Sequence, residues 1–515
     1  MFGLDQFIMN TLLLTKIIAT LGPASGDKEM IKKLIGKGAR AFRINFSHGS
    51  FDDHIRLVEN IREAMKETGY HVAIIGDLPG PKIRIGKVSE GGILLKPGEK
   101  VVFTEKEIYT DASVHGPRFS TNYPGLMDEV KPGEPVLLDD GNVRLKAEKI
   151  TESNGNRELH CLVIEGGIIT SNKGVNLPET DLKVSALTPK DQECIDFAVK
   201  HKLDFLALSF VRRASDLVEL KKILMEKGVR PVDRSYRKRA ENDTTLLEGD
   251  FEGFIPVIAK IEKPQALLDL DAILGETDMI MVARGDLGVE MDLAEVAIHQ
   301  KEIIKKCRYY GVPVIVATQM LQSMINEAVP TRAEVSDVAN AIFDGADAVM
   351  LSGETAIGKH PLEVVDMMNR VIWKTNDYML SRDIEQSAPS FDRGIEKRSA
   401  AIAAGTKTII KELSAGLIIV WSELGGSAVF LSEQRIPRPI LAFSHNRKTL
   451  CLLSLLYGII PVFLEKTEDA AEFFIKATEI IREKEWEEPG RPLVFVHRDP
   501  FHQVGLTNEI TIKYL

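Results

Sequence analysis

Two short apolar runs end in charge, in a pattern that suits a divalent cation held beside a fixed positive group. One, FIPVIAKIE over 254–262, closes on Lys260 and Glu262; the other, MIMVARGD over 279–286, closes on Arg284, Gly285 and Asp286. Asp and Glu are seldom buried without a partner. Two carboxylates and a lysine gathered at such ends therefore point to a metal beside a cation that meets developing negative charge. Similar polar groups close other apolar runs: Arg43, Asn45, Ser47 and His48 in RINFSH, Asp77 and Arg84 in DLPGPKIR, Ser209 in LSF, Thr318 in VATQM, and Ser352 with Glu354 in LSGE. Taken singly, such an arginine or aspartate reads as a structural ion pair, and Thr318 or Ser352 as satisfying a local backbone group. Repetition at most of the runs makes the set a candidate site.

The elements that would position these groups follow from the period of the apolar residues. Eight runs, at 15–21, 41–47, 72–78, 204–210, 254–262, 279–286, 312–319 and 348–354, read as buried parallel strands. Helical patterns lie between them, for instance at 28–37, 54–67, 189–201, 264–276, 293–310 and 331–343. Eight alternating β/α units predict a (β/α)8 TIM barrel, whose chemistry sits at the carboxyl ends of the strands.

One interval breaks the alternation. Between the third strand and its helix, turn signals such as Pro97-Gly98, Pro132-Gly133 and Asp140-Gly141 punctuate short strands near 101–103 and 161–164. This predicts an inserted all-β domain over 85–181, a β-barrel lid above the catalytic barrel formed by 1–84 and 182–376. The charged, aperiodic stretch at 231–252 reads as a solvated loop. From 377 to 515 the alternation restarts as a separate open-sheet α/β domain, with a helix at 395–413, a strand at 417–421, a helix at 427–434, a strand at 439–443 and a helix at 447–457.

The chain has 515 residues, 65 basic against 75 acidic, for a net charge of -10. That balance argues against a general nucleic-acid binder and fits a soluble enzyme. Cys161, Cys194, Cys307 and Cys451 are scattered, without metal-ligand spacing, and read as buried free thiols in a reducing cytosol. The start is apolar but carries Asp5 and no basic region, so a signal peptide is not expected, and no stretch reads as membrane-spanning.

Long motifs sharpen this picture: TKIIATLGPAS from Thr15, FRINFSHG from Phe42, KGVNLP from Lys173, SFVRRASD from Ser209, AKIE ending at Glu262, MVARGDLGVE from Met281, VATQMLQSM from Val316, PTRAEVSDVANAIFDGAD from Pro330 and LSGETA from Leu351. On these the chain closely resembles the pyruvate kinase family. The resemblance implies phosphoryl transfer from phosphoenolpyruvate to ADP, giving pyruvate and ATP, in a cytoplasmic homotetramer.

It also implies residue roles. Glu262 and Asp286 would hold Mg2+ or Mn2+, Lys260 would face the phosphoryl group and enolate oxygen, and amides around Gly285 and Asp286 would take the substrate carboxylate. Thr318 would sit near the carbon that is protonated, with Ser352 and Glu354 in a water relay, and Ser209 would line the substrate. Arg43 and Arg84 would clamp phosphates, and Asn45, His48 and Lys173 would contact nucleotide. Asp139 and Asp140 are candidate lid contacts or a turn.

Potassium-dependent members carry a glutamate where this chain has Lys82. A fixed ammonium there would replace K+ beside Asn45, Ser47, Asp77 and Leu78, so K+ is not expected to be required. In the last domain, Ser422, Glu423, Gly425, Gly426 and Ser427 align with the family's effector loop, which could take a phosphorylated effector. A metal-dependent barrel lyase or aldolase acting through an enolate, and a non-catalytic metabolite-binding regulator, are the competing readings.

Overall fold

The computed structural model describes residues 12–111, 116–153, 156–229, 254–382, 384, 386, 394–499, 501 and 507–515. The apolar start and the expected solvated loop at 231–252 lie outside the described residues.

Eight parallel strands close into a barrel: β1 (Lys16–Thr20), β2 (Ala39–Asn45), β3 (Ala73–Asp77), β4 (Phe205–Leu208), β5 (Val257–Ile261), β6 (Met279–Ala283), β7 (Val314–Ala317) and β8 (Ala348–Leu351). Each pairs with its sequence neighbours, and β8 returns to β1. Apart from the half-buried Arg43 and Asn45 of β2 their residues are buried, which explains their largely apolar character. Successive residues still divide between two cores. In β1, Ile17 and Ala19 join the cluster shared with the surrounding helices, whereas Ile18 joins one that includes Ala41, Ala73, Ala207 and Ala348 of other strands.

Helix ends are fixed by local chemistry. Ser50 with Asp53, Thr188 with Asp191, and Thr331 with Glu334 form capping boxes, and Gly69, Gly311 and Gly345 end their helices in the left-handed conformation. Asp191 does more than cap. Its Oδ1 accepts the Gly80 N–H at 3.0 Å and so anchors the loop after β3. The amphipathic stretch after β5 is two short helices, Pro264–Leu268 and Leu270–Glu276, rather than one.

The insertion carries its own core around Phe103, Phe119, Leu138 and Val163. Its main sheet has six strands, in the order Val175–Asn176, Pro135–Leu138, Val143–Ser153, Asn156–Glu165, Lys100–Thr104, Arg118–Ser120, beside a separate pair, Gly167–Ile169 with Ile93–Leu95. The segment at 83–86 bridges its two short edges, Arg84 opposite Gly174 and Ile85 opposite Thr121, with the Val175 N–H donating to the Ile83 carbonyl at 2.9 Å and the Gly86 N–H to the Ser120 carbonyl at 2.8 Å. One helical turn, Leu126–Glu129, also interrupts the all-β pattern.

The last domain is a five-stranded sheet in the order Ile459–Phe463, Ile440–Ser444, Leu417–Trp421, Pro492–His497, Glu509–Tyr514, with only the final strand antiparallel. It docks on the barrel's amino-terminal face, away from the strand carboxyl ends. Arg435 pairs with Asp347 just before β8 at 2.8 Å, Lys448 with Asp204 just before β4 at 2.8 Å, and Ser454 donates to the Arg40 carbonyl at 3.0 Å. All four cysteines are buried and free, as expected. Among the described residues no helix is long and apolar enough to cross a membrane.

Candidate active site

At the carboxyl ends of β2 to β6 the structure builds one network of buried charge. Lys260 Nζ lies 2.8 Å from Glu262 Oε1, 3.2 Å from Asp77 Oδ1 and 2.8 Å from Ser209 Oγ. Asp77 in turn receives Arg43 Nε at 2.5 Å, and Arg43 Nη1 reaches Thr20 Oγ1 at 3.3 Å. Glu262 uses Oε2 to accept the Phe210 N–H at 2.8 Å, which fixes the glutamate against the end of β4.

The titration of these groups follows from their surroundings. Burial alone would lower the pKa of Lys260, but Asp77, Glu262 and, farther off, Asp286 outweigh it and hold the ammonium charged. Burial would likewise raise Asp77, and Arg43 with Lys260 reverse that. For Glu262 burial wins: Lys260 pulls the carboxyl down, yet Asp286 pushes it up again, and the net shift is upward.

Two cations, Arg43 and Lys260, thus face three carboxylates, Asp77, Glu262 and Asp286. Among the described residues no three acidic, histidine or cysteine side chains form a complete metal cage. An acidic surplus with an incomplete protein cage fits a Mg2+-type ion, which takes one or two carboxylates and completes its shell with water and substrate oxygens.

The second half of the site is the turn after β7. Thr318 and Gln319 both have positive φ, 67° and 54°, and a β-branched residue rarely adopts that conformation. Arg284 supplies the restraint. Its Nη2 donates to the carbonyls of Thr318 at 2.9 Å and Gln319 at 3.3 Å, while Asp337 holds Nη1 at 2.6 Å. Arg284 therefore leaves the charge cluster and serves this turn, within its own chain.

Thr318 Oγ1 accepts the Gly285 N–H at 2.7 Å, so the amide expected to face a substrate carboxylate is here satisfied by the threonine. Asp286 is half-buried on the helix Arg284–Glu290, which begins where the sequence pattern had continued the strand. Glu354 is fully buried and holds backbone, accepting the Ser352 N–H at 2.7 Å and the Leu321 N–H at 3.2 Å. The Ser352 hydroxyl is buried without a partner among the described residues.

The remaining predicted residues divide. Arg84 sits at the junction with the insertion, its Nη1 donating to the Asn172 carbonyl at 2.9 Å. Ser47 and His48 are exposed, and Asn45 is half-buried with its Oδ1 accepting the Ser47 N–H at 3.1 Å. Leu78 is buried, and its carbonyl accepts from Ser209 Oγ at 2.6 Å. Lys82 is exposed and makes no ion pair among the described residues; it lines a small cavity of about 30 Å³ between insertion and barrel, together with Asp140, Asn176, Lys263 and Asp286, and none of Asn45, Ser47, Asp77 and Leu78 lines that cavity. Lys173 pairs with Asp139 at 2.6 Å, and Asp139 and Asp140 form the tight turn before Gly141, each with φ of 53°.

In the last domain, Gly425 has φ of 88° ahead of the helix Gly426–Glu433, Ser427 Oγ bonds Thr507 Oγ1, and Ser422 Oγ accepts the Ala428 N–H at 3.4 Å. Glu423 lies 3.6 Å from His445 at the same loop.

Sequence reasoning missed a buried trio that joins insertion to barrel. Glu290 Oε1 accepts from Lys263 Nζ and from Asn176 Nδ2, both at 2.6 Å. Lys263 directly follows Glu262, while Asn176 and Glu290 lie within KGVNLP and MVARGDLGVE; polar residues inside such motifs were the available signal.

Known proteins match both the barrel and the last domain. The family model described as pyruvate kinase, barrel domain, matches residues 13–233 and 241–365, and that described as pyruvate kinase, alpha/beta domain, matches 400–513. A pyruvate kinase of Thermococcus litoralis is 39% identical over 474 residues, covering 91% of this chain and 93% of the relative. One of Thermotoga maritima is 38% identical over 499 residues, covering 97% and 98%. A crystal structure of a pyruvate kinase from Cryptosporidium parvum superposes with a TM-score of 0.84 at 31% identity, covering 99% of this chain and 97% of that one.

Proposed function

The chain belongs to the pyruvate kinase family, and from that premise we infer how its own residues carry out the transfer of a phosphoryl group from phosphoenolpyruvate to ADP. The reading rests above all on Lys260, a buried ammonium kept charged by Asp77 and Glu262 and within electrostatic reach of Asp286.

Lys260 meets the negative charge that moves from the phosphoryl oxygens to the enolate oxygen, and Arg43, fixed by Asp77, offers its remaining N–H groups to the phosphoryl group. The family uses Mg2+, which Glu262 and Asp286 would hold and which would neutralise phosphate charge when bound. Ser209 orients Lys260. Thr318 turns its hydroxyl between the Gly285 amide and the substrate, and the unpartnered Ser352 hydroxyl gives a proton path beside it. Thr318 is unsuited to be the acid itself, so the proton passes through water. As the substrate carboxylate arrives, it displaces Thr318 Oγ1 from the Gly285 N–H.

Nucleotide binding is assigned to Arg84, Asn45, His48 and Lys173, with the 85–181 insertion as the cover that excludes water. Lys82 supplies the positive charge that makes K+ unnecessary. A phosphorylated effector at 422–427, a homotetramer and a cytoplasmic setting extend the same reading. Matches to both the barrel and the last domain favour phosphoryl transfer over a barrel lyase.

A coupled assay with phosphoenolpyruvate, ADP and Mg2+ tests the reaction. Pyruvate and ATP should form together; pyruvate released without ADP consumption would instead support the lyase.

A further inference from the structure

Of the eight barrel strands, β1 alone contributes no residue to the roles assigned above. It ends in Thr20, which is 3% exposed, lies in register with Arg43 of β2, and follows Ala19, the partner of Leu351 in β8.

The Thr20 hydroxyl is committed on both sides. It donates to the Leu351 carbonyl at 2.9 Å and accepts from Arg43 Nη1 at 3.3 Å. A hydroxyl has one proton to give, so committing it to Leu351 leaves only lone pairs to face the arginine. The backbone is tied as well: the Thr20 carbonyl accepts from Thr355 Oγ1 at 2.8 Å, and the Leu21 N–H donates to the Arg43 carbonyl at 3.0 Å. Thr20 thus lies between a cation on β2 and the end of β8 that leads into Ser352 and Glu354.

Fastening one strand to its neighbour explains the bond to Leu351. It does not explain the bond to Arg43. The guanidinium is a rigid plane with donors on three nitrogens, and Asp77 holds it at Nε alone, at 2.5 Å. One contact leaves that plane free to swing about a point; a second, at Nη1, removes the freedom. The Arg43 side chain is 11% exposed, and among the described residues Asp77 and Thr20 are the side chains that hydrogen-bond it.

We propose that Thr20 is a positioning residue for the phosphoryl transfer: its hydroxyl, oriented by the Leu351 carbonyl, sets the plane of the Arg43 guanidinium, so that the remaining N–H groups meet the phosphoryl group in one orientation. The role rests on the assignment of Arg43 to that group. Thr20 itself touches neither substrate nor metal and acts through the arginine. Electrostatic stabilisation depends on donors fixed before charge moves, so losing that orientation slows the reaction more than it weakens binding.

Thr20→Val keeps the shape of the side chain and removes the hydroxyl. Steady-state kinetics with phosphoenolpyruvate varied at saturating ADP and Mg2+ should show kcat lower by about tenfold, with a smaller change in KM. Thr20→Ser, which restores the oxygen, should recover most of the loss. The double variant separates positioning from structure. In an Arg43→Met background, Thr20→Val should lower kcat by less than about twofold, because the group it acts through is gone, whereas a structural defect would repeat its full effect. Circular dichroism checks that each variant is folded. The proposal is overturned if Thr20→Val leaves kcat unchanged, if serine does not rescue it, or if the loss persists undiminished beside Arg43→Met. Should Arg43→Met alone leave kcat unchanged, the assignment of Arg43 fails first, and the role of Thr20 with it.

Discussion

Arg284 donates to the Thr318 carbonyl at 2.9 Å while Thr318 is held at a φ of 67°, so the arginine braces the strained turn that carries the threonine assigned above to the substrate. Arg284→Lys keeps the charge but cannot bridge two carbonyls and Asp337 at once. It should lower kcat by roughly 10- to 100-fold, because a misplacement near 1 Å is enough, with a smaller change in KM. Steady-state kinetics decide it, and an unchanged kcat would remove Arg284 from any positioning role.

Lys260→Met separates catalysis from folding. Loss of the cation beside the forming charge should reduce kcat by about 10³ or more. The same change leaves Asp77 and Glu262 buried with less compensation, and denaturant unfolding should show a loss of about 3–5 kcal/mol. Mn2+ binding, followed by electron paramagnetic resonance, should persist, since both assigned carboxylates remain.

Lys82→Glu should convert the enzyme from indifference to K+ into dependence on it. Activity would be titrated against KCl at constant ionic strength, in both proteins. If wild type already needs K+, the ammonium does not stand in for the ion.

His71 predicts acid sensitivity away from the site. It is buried near Phe463, and burial, then Arg447, lower its pKa from 6.5 to about 4. A folded-state pKa below the unfolded one means that the unfolded chain takes up the proton more readily. Its contribution is therefore fully present above pH 6.5 and is lost as pH falls from 6.5 toward 4. The loss reaches up to about 3 kcal/mol. His71→Phe should flatten the stability profile over that window; an unchanged slope would assign the acid limb to other groups.

The barrel was legible because parallel strands covered on both faces appear as continuous apolar runs, and all eight lie where those runs do. Their ends were less so. β6 stops at Ala283, because Arg284 turns into the next helix without a side-chain cap that a reader could see. The charged residues at the strand ends were visible as types, but their pairings were not. Nothing in local sequence says that Phe210 gives its amide to Glu262, or that Glu290 meets both Asn176 and Lys263 across 114 and 27 positions.

The contact between Asn176 and Glu290 gives the cover a mechanical grip on the catalytic floor. Glu290 ends the short helix that begins with Arg284 and carries Gly285 and Asp286, so tension at one end of this seven-residue rod is felt at the other. Swinging the insertion outward would move Asp286 and the Gly285 amide together, and with them the metal and substrate roles assigned to them above. On that reading, closing the cover and assembling the site would be one motion rather than two.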